Sequence, residues 1–209
     1  MKTFTFLIIF FVAVFSLGFL TGYFLERTSI GYTQSQLQDL RVNVENMQIQ
    51  EMFAAGERTD CRLMFTTMGS LSYNLYDLVN KLKETQPENT EFYDLKRDAD
   101  FLSLRAWILA RNIRERCTET IFPILYVYSN DCPECEKQDA ELQKLKTKYD
   151  GVLVYAIDFD LNEPVIRLVK DAYGINSTPS MIINHRLYGN LSGNELENLV
   201  CANINCTKI

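Results

Sequence analysis

Along the chain the spacing of apolar residues passes from continuous, to helical, to a mixture of strand and helix. Thr3 to Leu25 carries no charge, and Phe4 to Leu25 reads FTFLIIFFVAVFSLGFLTGYFL. Twenty-two helical residues span about 33 Å, enough for a hydrocarbon core of about 30 Å. The stretch is therefore expected to be an uncleaved transmembrane signal-anchor within residues 1–30. A cleaved signal peptide is the alternative, with Ser16-Leu17-Gly18 and Thr21-Gly22 as poor small-x-small sites. From Gln34 to about Ala55, Leu37, Leu40, Val44, Met47 and Ala54 recur at three- and four-residue steps among Gln and Asn. This predicts an amphipathic helix that packs on the helices after it, or pairs with a second copy as a short coiled coil in a homodimer.

From about Glu57 to Thr85, Cys61, Met64, Met68, Leu71, Leu75, Leu78 and Leu82 share one helical face. Gln86-Pro87-Glu88-Asn89-Thr90 breaks the pattern, with Asn89 or Thr90 as the cap of a further helix. That helix, about Glu91 to Cys117, carries Phe92, Leu95, Ala99, Leu102, Ala106, Leu109 and Ile113 on its stripe, so the pair reads as an antiparallel hairpin. Cys61 and Cys117 are centred on residue 89, inside the turn, so the two sulfurs are expected to meet at the open end and form a bridge. Two unrelated buried thiols are the plainer alternative.

After Thr118 to Ile121 the period changes again. Phe122 to Tyr128 and Val152 to Ile157 are continuous apolar runs that read as buried strands, with a helix over Asp131 to Tyr149 between them. Glu163 to Tyr173 reads as a helix stopped by Gly174. Short strands over Ser180 to Asn184 and Leu187 to Gly189 follow, joined by a turn through His185-Arg186. Ser192-Gly193-Asn194-Glu195 is a capping box for a last helix to about Cys201. This order predicts an α/β layer whose first two strands run parallel.

Composition narrows the function. The net charge is −6, with no basic block to neutralise phosphates, so no nucleic-acid partner is expected. Six cysteines with a single histidine, His185, suit disulfides in an exported protein better than a metal centre. The bulk of the chain is therefore expected outside the cytoplasm, on a single-pass anchor, with no cofactor and no metal. Cys201 and Cys206 can bridge at the C-terminus, or Cys201 can be buried alone.

The candidate chemistry lies in Ser129-Asn130-Asp131-Cys132-Pro133-Glu134-Cys135, at a strand-to-helix turn. Cysteines three apart on a first helical turn come within disulfide reach. The unpaired N–H groups there favour ionisation of Cys132, so Cys132 would attack and Cys135 would resolve. Taken alone, a Cys-x-x-Cys is also compatible with half a zinc site or a plain structural bridge.

Cys132-Pro133-Glu134-Cys135 after the first strand and Ser177-Thr178-Pro179 before the third resemble the thioredoxin superfamily over about Ile121 to Cys201. Asp160-Leu161-Asn162-Glu163-Pro164 and Tyr173-Gly174-Ile175 are similar to it too. With four strands, the resemblance is to the smaller, glutaredoxin-like core. It implies a four-stranded mixed sheet with flanking helices over 119–209, preceded by the anchor and by an all-α region over 31–118. It also implies a cis Thr178-Pro179 peptide that faces the cysteines and holds substrate, and disulfide exchange with protein thiols and a redox donor protein. Three positions depart from the family pattern. Tyr126 stands where a buried acid is usual, Asp131 replaces a tryptophan, and Glu134 replaces the usual residue between the cysteines. The carboxylates of Asp131 and Glu134 oppose a Cys132 thiolate, which predicts a moderately reducing pair. The Cys61–Cys117 pair, close before this domain in sequence, is a candidate relay to Cys132 and Cys135. A docking module whose cysteines are merely bridged is the non-enzymatic alternative.

Overall fold

The computed structural model describes residues 14–16, 18–19, 61–87, 89–117, 121–204 and 206. The predicted span over Phe4 to Leu25 falls outside these apart from Val14–Ser16 and Gly18–Phe19, which are helical and exposed. Among the described residues no helix is long and apolar enough to cross a membrane. The predicted helix over 34–55, with its coiled coil or dimer, also lies outside the described residues. The helical hairpin and the sheet belong to one compact unit, Phe53–Ile209, and the N-terminal residues to another.

The hairpin consists of α1 (Cys61–Glu84) and α2 (Thr90–Arg116). Asn89 is the cap of α2, its side chain accepting from the Glu91 amide at 3.1 Å. Met64, Met68, Leu71 and Leu78 of α1 are buried, as are Ala99, Leu102, Ala106, Trp107 and Ile113 of α2. At the open end Cys61 and Cys117 are bonded, with Cα atoms 5.9 Å apart.

The sheet has the order β2-β1-β3-β4, from β1 (Phe122–Tyr128), β2 (Val152–Asp158), β3 (Ser180–Ile183) and β4 (Arg186–Tyr188). β1 runs parallel to β2 and antiparallel to β3, and β3 runs antiparallel to β4. The turn between β3 and β4 sits one residue earlier than the sequence predicts, at Asn184-His185. Both residues have positive φ, 48° and 64°. A two-residue hairpin loop needs that conformation to match the twist of its strands, and Asn accepts it more readily than Arg.

The remaining helices are α3 (Pro133–Lys148), α4 (Pro164–Tyr173) and α5 (Gly193–Cys201). Gly174 ends α4 with φ 67°, the left-handed position its sequence context predicts, and Ser192 and Glu195 close a capping box on α5. Because side chains alternate along a strand, Phe122, Ile124 and Tyr126 pack with Leu142 and Leu145 of α3 and with Leu196 and Val200 of α5. The other face of β1 and β2 is covered by α2, and the Tyr155 hydroxyl reaches past it to Met68 Sδ of α1 at 3.4 Å. Trp107 makes an edge-on contact with Tyr173 of α4, ring centres 6.1 Å apart.

Arg114, near the end of α2, stacks over the Phe122 ring at 4.8 Å and donates to the Ile121 carbonyl at 3.4 Å. The Cys61–Cys117 bond therefore lies where β1 begins. Cys132 lies beyond the other end of that seven-residue strand, about 23 Å away at the usual strand rise. Thiol exchange requires contact between sulfurs, so the relay expected from sequence proximity is not built into this arrangement. Replacing Cys61 and Cys117 together with serine is expected to lower unfolding stability by about 4 kcal/mol, from the 56-residue separation of the bonded pair. Urea unfolding measures this. The rate of disulfide exchange at Cys132 should stay unchanged, and a slowed rate would restore the relay.

Candidate active site

β1 delivers its C-terminal end to a turn, Ser129 to Asp131, and Cys132 becomes the N-cap of α3 with extended backbone angles. Pro133 at the first helical position fixes φ where no intrahelical N–H bond is needed. Asp131 was expected inside the helix but precedes the cap. Cys132 and Cys135 are bonded, and the Cys135 amide donates to Cys132 Sγ at 3.1 Å. Cys132 is half-buried, whereas Cys135 is 4% exposed. Cys132 is therefore the more accessible sulfur of the pair.

The Thr178-Pro179 peptide is cis and opens β3 beside this bond. Thr178 Oγ1 stands 3.8 Å from Cys132 Sγ and is hydrogen-bonded to the Ser129 hydroxyl. Ser129 was not singled out from the sequence. A lone serine three residues before a cysteine carries no signal until the third strand is laid beside it. The backbone amide of Cys135 and the hydroxyl of Thr178 both favour negative charge on Cys132 Sγ.

Tyr126 lies in register with Ala156 on one side and Met181 on the other, and its hydroxyl donates to the Cys135 carbonyl at 2.7 Å. Burial pushes its phenol well above the ordinary value, so it remains a protonated donor and not a base. Asp131 and Glu134 are exposed, and water screens their effect on Cys132.

The hairpin brings a second group of residues to the site. Lys96 and Asp100 of α2 and Asp158 at the end of β2 are 7%, 3% and 3% exposed. Lys96 Nζ pairs with Asp158 and donates to Asn130 Oδ1 at 2.9 Å, which ties the hairpin to the turn that carries Cys132. Asp100 Oδ2 accepts from the Asp158 amide at 2.9 Å, capping an N–H on the outer edge of β2. Burial, reinforced by the Asp158 charge, pushes the Asp100 carboxyl up to about 7. Between the hairpin and the start of α3 lies a cleft of about 420 Å³, bordered by Lys96, Asp100, Tyr126, Cys132 and Cys135. The sequence held one clue to this group: Lys96 and Asp100 interrupt the apolar stripe of α2.

Cys201 and Cys206 are bonded behind the end of α5, with Cα atoms 5.2 Å apart. Asn203, between them, accepts from Arg114 and from Asn184, which places this bond at the far end of the sheet from Cys132.

No family model and no curated protein matches this chain. Among solved structures it is similar to thioredoxin-2 of a malaria parasite, a component of that parasite's protein secretion machinery. The identity is 24% over 41% of this chain and 85% of that one, with a TM-score of 0.34. A thioredoxin variant from Halobacterium salinarum is 17% identical over 46% of this chain and 85% of its own, with a TM-score of 0.35. The germline-specific Drosophila thioredoxin Deadhead is 19% identical over 44% and 90%, with a TM-score of 0.34. The mixed sheet with helices on both faces, the cysteine pair opening α3 and the cis proline opening β3 constitute a thioredoxin-like fold in this chain.

Asp100 makes a pH prediction. In the unfolded chain its carboxyl titrates near 3.8, and in the folded protein near 7. The folded state therefore binds the extra proton between these values, and stability falls as pH rises from about 4 to about 7, by at most about 4 kcal/mol. Asp100→Asn is expected to flatten this slope and to raise stability above pH 7. Urea unfolding of both proteins across that range reads the difference, and parallel profiles would refute it.

Proposed function

We propose that this chain is a membrane-anchored, extracytoplasmic thiol–disulfide oxidoreductase of reductase or isomerase type, acting on protein substrates. The reading is carried by one observation: a reachable Cys132 sulfur at a helix N-terminus, backed by buried Cys135 and flanked by the cis Thr178-Pro179 peptide. In the reduced protein the Cys132 thiolate attacks a substrate disulfide, forming a mixed disulfide and releasing one substrate thiolate, which takes up a proton. The Cys135 thiolate then attacks Cys132 Sγ, closing the Cys132–Cys135 bond and releasing the second substrate thiolate. The cysteine pair loses two electrons and the substrate gains them. A partner dithiol protein returns the pair to its reduced form. Backbone next to Pro179 and the Thr178 hydroxyl hold the substrate chain against Cys132.

Compartment and anchoring are supported by the uncharged run from Thr3 to Leu25, by the exposed apolar side chains of Val14, Phe15 and Phe19, and by the pairing of all six cysteines. A docking module with a structural bridge is the second reading, favoured by Tyr126, which supplies no base at the position where the family carries an acid.

Cys135→Ser is expected to trap substrates as mixed disulfides on Cys132, visible on non-reducing gels and by mass spectrometry. A trap that captures nothing, together with an intact protein inactive in disulfide exchange, would leave the docking module. The potential of the pair is expected between about −270 and −180 mV, because Asp131 and Glu134 oppose the thiolate that the helix terminus favours. Equilibration with glutathione buffers measures it, and a value near about −120 mV would overturn the reductase or isomerase assignment.

A further inference from the structure

The cleft beside Cys132 is built by an element that the redox chemistry does not require. One wall is the turn-proximal half of the hairpin, with Val79 and Leu82 of α1 and Ala99 of α2. The opposite wall is Tyr126, Ala156 and the first turns of α3, where Glu136 and Asp139 are exposed. Cys132 and Cys135 both border it. Its volume of about 420 Å³ lies within the range of about 300–1,000 Å³ typical of ligand sites.

Two features define the occupant. The Thr178 hydroxyl approaches Cys132 Sγ, while neither Thr178 nor Pro179 lines the cleft, so Cys132 stands where the two surfaces meet. A polypeptide joined to Cys132 through its own cysteine therefore has its backbone at Pro179 and a neighbouring side chain at the cleft. The charges are also one-sided. The cation in the wall, Lys96, is already paired with Asp158 and bonded to Asn130. Asp100, Glu136 and Asp139 remain, all carboxyl groups, of which Glu136 and Asp139 are exposed.

We propose that the hairpin-walled cleft is a specificity pocket that selects polypeptide substrates with a basic or apolar residue next to the reacting cysteine and disfavours acidic ones. This rests on the oxidoreductase reading. The long apolar stem of a lysine or arginine lies against Val79, Leu82 and Ala99, and its charged head reaches Glu136 and Asp139. An acidic neighbour meets two like charges at the same place.

The test uses the reduced full-length protein and two synthetic peptides, each carrying one cysteine as a disulfide with 2-thiopyridine and differing only in a Lys-Leu or Glu-Leu flank. The Cys132 thiolate attacks the peptide sulfur, 2-thiopyridone leaves and absorbs, and Cys135 then releases the peptide as its thiol. The lysine peptide is expected to react roughly tenfold faster at low salt, with the preference fading near about 1 M salt. The double variant Glu136→Gln/Asp139→Asn is expected to abolish the preference, and Glu136→Lys/Asp139→Lys to invert it. Asp150→Asn/Asp171→Asn changes net charge equally on exposed positions outside the cleft and should preserve it. Equal rates for the two peptides, or the same loss in the Asp150/Asp171 control, would overturn the pocket while leaving the redox reading intact. Failure to react with either peptide and with 2,2′-dithiodipyridine would overturn both.

Discussion

Phe122–Tyr128 is a strand with apolar side chains on both faces, and a strand of that kind is stable only if both faces are covered. The rest of the fold follows from this. Leu142, Leu145, Leu196 and Val200 cover one face, and α2 covers the other. Each fully buried side chain of this size contributes about 1.5–3 kcal/mol, so neither layer can be removed without exposing the strand that leads to the cysteines. The hairpin is part of the core of Phe53–Ile209, and this is how it comes to stand beside Cys132.

The contact between hairpin and sheet includes a buried polar group, and that group adjoins the Cys132–Cys135 pair. Lys96, Asp100 and Asp158 are almost wholly buried; Lys96 pairs with Asp158, and Asp100 accepts from the Asp158 amide. Desolvation makes such a group costly compared with apolar packing. It joins three things that must keep a fixed distance: the hairpin, the edge of β2 and the turn before Cys132. The same burial pushes the Asp100 carboxyl up to about 7.

At the sulfur itself, oriented donors and exposed charges compete. The Cys135 amide and the Thr178 hydroxyl approach Cys132 Sγ directly, while Asp131 and Glu134 act through water. The donors favour negative charge on that sulfur and the carboxylates oppose it. Of the carboxyl groups that border the cleft, Glu136 and Asp139 lie farther along α3 and are exposed.

The local elements were legible in the chain because they rest on short-range rules. Alternation and continuity of apolar residues marked β1 and β2, helical spacing marked the hairpin, and Asn89, Gly174 and the Ser192–Glu195 box marked element ends within a residue or so. The meeting of Cys61 and Cys117 was also readable, since an antiparallel pair with a located turn has a determined register. Cys132, Cys135 and Thr178-Pro179 were found as motifs. The turn at Asn184-His185 was placed one residue late because its backbone conformation, not its composition, decides it. What the tertiary structure alone decided is everything that depends on distance between elements far apart in sequence. This includes the burial of Lys96 and Asp100 against Asp158, the bond from Ser129 to Thr178, the turning of Tyr126 onto the Cys135 carbonyl, and the separation of Cys61–Cys117 from Cys132–Cys135. Periodicity reports which face of an element is apolar; which partner covers that face, and which charges are trapped in covering it, is set only when the layers close.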